Sequence, residues 1–144
     1  MPNKPFKRHV VIDTNILISA VILPHSILRQ VIEKAKDEYI LCASHETMNE
    51  FVEVINRPKF LKYFANPDDR QQFITLVERA SQIIEVIHEV TDCTDPKDNK
   101  FLSLALSANA IYLVTGDKKD LLAMNPYHGV EIITARAFLD KPTP

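Results

Sequence analysis

Glycine is scarce in this chain, with two residues among 144 against nine prolines. So few glycines disfavour architectures that depend on tight hairpin turns. Neither a Walker-type phosphate loop nor a dinucleotide-binding glycine motif is present. Cysteine is equally scarce. Cys42 and Cys93 sit inside apolar segments without CxxC spacing, which points to a reducing compartment and not to a disulfide framework. No run of about eighteen apolar residues occurs, so no membrane span is expected. The N-terminus is basic, but the apolar stretch behind it is broken by Asp13 and Asn15 and lacks a signal-peptide core and cleavage site. A soluble cytoplasmic protein is the expectation. A strong basic excess is missing too, since the formal net charge is −2. Any attraction to a nucleic acid must therefore be local or supplied by a cation.

What is present is an ordinary globular balance, 46% hydrophobic and 25% charged, at a length suited to a single domain with its own core. The expected domain is 1–144, with a core of about 9–138. Short apolar runs predict strands at His9–Ile12, Tyr39–Ala43, Ile83–Ile87, Ile111–Val114 and Val130–Ile133. Helical spacing fills the gaps. Asn15–Leu23 is apolar nearly all round, and Ile27, Leu28, Val31, Ile32 and Ala35 form a second stripe. Met48, Phe51, Val52 and Ile55 form a third, closed by Arg57-Pro58. After Asn66-Pro67 come Phe73, Leu76, Val77 and Ala80, and Lys97–Asn109 places Phe101, Leu102, Leu104, Ala105 and Ala108 inward. Strands that are apolar runs, alternating with helices, imply a parallel sheet covered on both faces. The predicted fold is an α/β/α sandwich around about five mainly parallel strands.

In such sheets functional groups gather outside the carboxyl ends of the strands. Asp13 ends the first predicted strand and Asp117 follows the fourth. Glu50 lies in the second turn of the helix after strand two. Asp98 opens a helix behind a loop that starts at the same edge. Each acid also has a plain structural use. Asp13 is placed to cap the helix after it, Asp95-Pro96-Lys97-Asp98 is a common helix start, and Glu46, Glu50 and Glu53 share a stripe that is normally solvated. Together they are harder to dismiss. Two carboxylates about 5 Å apart repel by roughly 3 kcal/mol at an effective dielectric near 20. A cluster of four persists only with protons or metal ions. Hard oxygen ligands without a nearby histidine or cysteine set select Mg²⁺ or Mn²⁺ over zinc, and such a site suits phosphodiester hydrolysis.

The segments Val11-Ile12-Asp13-Thr14-Asn15, Ser44 to Phe51 with Glu50, Asp95-Pro96-Lys97-Asp98-Asn99-Lys100-Phe101-Leu102 and Thr115-Gly116-Asp117 closely resemble the PIN-domain nucleases, in the right order and from about His9 to Phe138. Asn56 to Phe60 resembles the prokaryotic branch that supplies toxins of toxin–antitoxin pairs. The resemblance implies a Mg²⁺- or Mn²⁺-dependent endoribonuclease with Asp13, Glu50, Asp98 and Asp117 as catalytic, metal-holding acids. Asn15 and Thr115 then fall where the family orients acids or water, and Asp95 keeps the capping role. Asp13, Asp98 and Asp117 would hold the principal metal, and Glu50 a second metal or the proton of the attacking water. The resemblance also implies an RNA substrate, an antitoxin partner and a homodimer.

Lys97, Lys100, Lys118 and Lys119 flank the acids and are placed to hold phosphates. Arg57, Lys59 and Lys62 form a second basic stretch, interleaved with Phe60, Tyr63 and Phe64. Aromatics there either stack on unpaired bases or are buried against the domain or a partner subunit, and burial is the expectation. Two other readings compete. A phosphatase or phosphotransferase with an aspartyl-phosphate at Asp13 is disfavoured by Asn15, where the dehalogenase-like enzymes carry an acid, and by the placement of Lys118. A catalytically silent RNA- or protein-binding domain is disfavoured by the complete acid set.

Overall fold

The computed structural model describes residues 7–23, 26–116 and 119–143. Its five strands are β1 (His9–Ile12), β2 (Ile40–Ala43), β3 (Ser81–Ile83), β4 (Tyr112–Thr115) and β5 (Glu131–Thr134). All pair in parallel, in the order β3-β2-β1-β4-β5. The helices are α1 (Thr14–Ile22), α2 (Ile27–Glu38), α3 (His45–Ile55), α4 (Pro58–Leu61), α5 (Pro67–Ala80), α6 (Asn99–Ser107), α7 (Lys119–Leu122) and α8 (Ala135–Leu139).

Alternation along the pleat divides each strand between two cores. Val10, Ile12, Leu41, Tyr112, Val114 and Ile133 face α2 and α8, where Tyr39, Tyr112 and Phe138 meet with ring centroids 5.3–6.0 Å apart. Val11, Cys42, Leu113 and Ile132 face the other way, onto Phe101, Leu102, Leu104 and Ala105 of α6. Helices therefore cover both faces, as the apolar strand runs predict. A third cluster contains no strand residue. Ile18 of α1, Phe51, Val54 and Ile55 of α3, and Ile74 and Val77 of α5 pack together, with Phe60 and Phe64 against them.

Local signals set the helix starts. Asn66 accepts from the Asp69 N–H ahead of Pro67, and Ser44 and Thr47 exchange bonds in a capping box at the start of α3. Asp95 caps the short 3-10 turn Pro96–Asp98 through the Lys97 N–H. Asn109, at φ 52°, takes the left-handed conformation that stops α6.

Three expectations are corrected. The third strand is Ser81–Ile83, not Ile83–Ile87. Beyond Ile84 the backbone leaves the sheet because α6 supplies the partners: Ser107 Oγ accepts from the Ile87 and His88 N–H groups, Ser103 Oγ from Val90, and Asn99 Oδ1 from Cys93. The helix expected over Lys97–Asn109 is a 3-10 turn followed by α6, since Asp95 caps the tighter turn first. Leu76, expected inward, is 48% exposed, because α5 turns Ile74 and Val77 to the third cluster instead. Among the described residues, no single helix is long and apolar enough to cross a membrane.

Candidate active site

The chain runs outward from β1 through β2 to β3, then returns to place β4 on the other side of β1. The order therefore reverses between β1 and β4, the position at which open parallel sheets form a crevice at their carboxyl ends. Ile12 pairs with Val114, so Asp13 and Thr115 leave the sheet side by side.

Asp13 is fully buried and bound on both carboxylate oxygens. Oδ1 accepts from the Ile16 N–H at 3.0 Å, which caps α1. Oδ2 accepts from the Thr115 hydroxyl at 2.5 Å and from the Gly116 N–H at 3.3 Å. The Asp13 N–H itself donates to Val114 O at 3.0 Å. The capping use and the site position thus coincide in one residue. Thr115 is buried like Asp13, whereas Asn15 is exposed, two residues beyond Asp13.

Thr14 links the strand end to α3, donating its hydroxyl to Glu50 Oε2 at 3.2 Å. The same oxygen meets Lys100 Nζ at 3.3 Å, with the Lys100 and Glu50 side chains 17% and 25% exposed. The structure separates the acidic stripe of α3: Glu46 and Glu53 are exposed, and Glu53 pairs with Arg57, whereas Glu50 alone turns toward Thr14 and Lys100. Asp98 is buried where the 3-10 turn meets α6, and its N–H closes that turn on Asp95 O. Lys97 and Lys119 are exposed. Asp117 and Lys118 lie outside the described residues.

Sequence reasoning missed the role of Lys100 as the partner of Glu50. The signal was its place two residues after Asp98, which sets it at the start of a helix facing the same edge. It also missed Asn99, Ser103 and Ser107 as a row that holds the preceding loop; polar residues recurring every fourth position in a mostly apolar helix were the available sign. A cleft of about 700 Å³ has Ser44, Glu46, Glu89, Asn99 and Lys100 in its lining but none of Asp13, Glu50 and Asp98.

Carboxylate oxygens are hard donors, which suit Mg²⁺ or Mn²⁺. Among the described residues alone, no group of three or more histidines, cysteines or acids closes on a metal position. Thiol chemistry has little support, since burial pushes the Cys42 thiol up to about 11 and raises Cys93 as well.

The PIN-domain family profile matches residues 9–119. An uncharacterized protein of Methanocaldococcus jannaschii is 34% identical over 119 residues, which cover 82% of this chain and 76% of that protein. PIN domains are typically nucleases and generally use divalent metals. By a family match over residues 9–119, with which its five-stranded parallel sheet is consistent, the chain belongs to the PIN-domain family.

Proposed function

We propose that the chain is a divalent-metal-dependent endoribonuclease, the toxin of a toxin–antitoxin pair, that hydrolyses RNA at the carboxyl edge between β1 and β4. The observation that carries the nuclease reading is Asp13, a buried carboxylate held on both oxygens at the point where strand order reverses. The toxin role, an antitoxin partner and a homodimer follow from the family resemblance, to which Asn56 to Phe60 adds, and a cytoplasmic location from composition.

Asp13, Asp98 and Asp117 would hold the principal metal, which when bound lowers the pKa of a coordinated water and neutralises charge on the phosphoryl oxygens. Thr115 and Gly116 fix the Asp13 carboxylate against rotation. Thr14 aims Glu50 at the same edge, where its Oε2 would take the proton of the attacking water. Lys100 neutralises Glu50 across the gap between α3 and α6 and keeps a cation beside an approaching phosphate.

The test is a cleavage assay on labelled single-stranded RNA and DNA, with Mn²⁺ or EDTA, comparing wild type with Asp13→Asn. RNA cutting that needs metal and is lost in the variant is expected. Cutting that persists in EDTA, or in a folded Asp13→Asn protein, overturns the site. No cutting by folded wild type favours the binding-domain reading, and co-expression with the product of the adjacent reading frame then tests the antitoxin.

A further inference from the structure

The turn after α3 carries three cations, Arg57, Lys59 and Lys62, and no acid within the seven residues 57–63, in a chain whose net charge is −2. Its aromatics divide cleanly. Phe60 and Phe64, four apart, pack inward against the strand-free cluster. Lys59, Lys62 and Tyr63 have the i, i+3, i+4 spacing of one helical face, and all three are exposed, Tyr63 at 46%. The helical turn continues through this segment, with the Tyr63 N–H on Phe60 O and the Phe64 N–H on Leu61 O. Burial thus accounts for the two phenylalanines and leaves the tyrosine unexplained.

We infer that Lys59, Lys62 and Tyr63 form a docking platform for single-stranded nucleic acid, on which Tyr63 stacks an unpaired base while the lysines hold the flanking phosphates. The inference rests on the nuclease reading and names how substrate is held outside the acids. Lys62 Nζ lies 5.3 Å from the centre of the Tyr63 ring and Lys59 Nζ 5.0 Å from that of Phe60, so the ammonium groups already sit on the aromatic surface. An aromatic ring has two faces, and an ammonium over one leaves the other for a base. Lysine is depleted in the cores of protein–protein interfaces, whereas aromatic rings with adjacent cations are the usual means of holding a strand without sequence preference.

Position also fits. Glu50 and Arg57 are seven residues apart, with α3 ending at Ile55 and α4 beginning at Pro58 after the extended backbone of Arg57 (φ −65°, ψ 142°), so the platform directly follows the helix that carries Glu50. Glu53 lies between them and would repel a phosphate, but Arg57 Nη2 contacts both of its oxygens at 3.1 Å.

The test is binding of a short fluorescent single-stranded RNA in EDTA, read by anisotropy over a salt series, with single-stranded DNA and duplex RNA of the same sequence alongside. Both single strands are expected to bind more tightly than the duplex. Tyr63→Ala is expected to weaken them between about fivefold and a hundredfold without changing the salt slope, and Tyr63→Phe to restore binding. Lys59→Gln with Lys62→Gln is expected to flatten the log–log slope by about 1.4, at about 0.7 per lost phosphate contact. Tyr63 is exposed, so an unchanged melting curve verifies the fold. Wild-type affinity in Tyr63→Ala, or equal binding of duplex, overturns the platform. So does a Tyr63→Ala protein that binds normally but sediments as a smaller species, which would assign the patch to a second copy of the chain. Binding is read without metal, so a wild type that binds through Tyr63 yet never cuts defeats the nuclease reading and leaves the platform standing.

Discussion

Asp13 and Glu50 approach the same edge from regions built in different ways. Asp13 ends a central strand, flanked by two parallel neighbours and buried between both sheet cores. Glu50 rides on α3, whose buried apolar residues belong to the cluster built from α1, α3, α4 and α5 without a strand residue. One acid is fixed by backbone pairing of the sheet; the other is placed by helix packing and by two side chains, Thr14 and Lys100. The site therefore has a half that moves only if the sheet unfolds and a half that can loosen by itself.

The largest expected effect divides these halves directly. Phe101 and Phe51 are both 1% exposed, one under the sheet and one in the helical cluster. Truncation of either to alanine is expected to cost about 3–5 kcal/mol. Hydrogen exchange is expected to show Phe101→Ala lowering protection throughout, and Phe51→Ala lowering it in α3 and α5 while β1 and β4 stay protected. Equal loss everywhere in Phe51→Ala would mean that the two regions unfold as one.

Alkaline pH strikes the sheet half next. The Cys42 thiol is raised from 9.0 to about 11 by burial, so the unfolded chain gives up its proton first as pH rises. Its contribution is complete below pH 9.0 and is lost by about 11, an effect on the order of 2–3 kcal/mol. Chemical denaturation at stepped pH checks this, and Cys42→Ala is expected to flatten that part of the profile.

Asp13→Asn follows. The amide can still cap Ile16, but its nitrogen cannot accept from Thr115 and Gly116, so a loss of about 1–2 kcal/mol is expected in metal-free protein. This loss opposes any gain from relieved repulsion, and a net increase in melting temperature would show repulsion to be the larger effect. The smallest effect belongs to the helical half. A double-mutant cycle of Lys100→Met and Glu50→Gln is expected to give a coupling of about 0.5 kcal/mol, as for partly exposed pairs.

The two halves also differed in how far the sequence revealed them. Strand-end residues were legible because an apolar run ending in Asp-Thr-Asn or Thr-Gly-Asp marks both the strand and its exit. The segment 81–87 misled, since Ile83, Ile84, Val86 and Ile87 look like a strand, yet hydroxyls of α6 outcompete the sheet for its backbone. Leu76 misled for a related reason: spacing locates a stripe but not its edge, and from that helix the third cluster takes Ile74 and Val77 with Phe73 against them. The pairing of Glu50 with Lys100 was half legible: the place of Lys100 two residues after Asp98 put it at the right edge, but no local pattern records how α3 and α6 approach each other.

The row Asn99, Ser103 and Ser107 has a consequence for how this chain can change length. Surface loops normally accept inserted residues at small cost. Here the stretch from Ile87 to Cys93 is laid against α6 in register, each anchored amide one helical turn from the next. An added residue would throw the remaining amides off their hydroxyls and push the mismatch forward to Asp95 and Asp98. This loop is in effect a measured spacer, and its residue count is as much a part of the site as the acids it delivers.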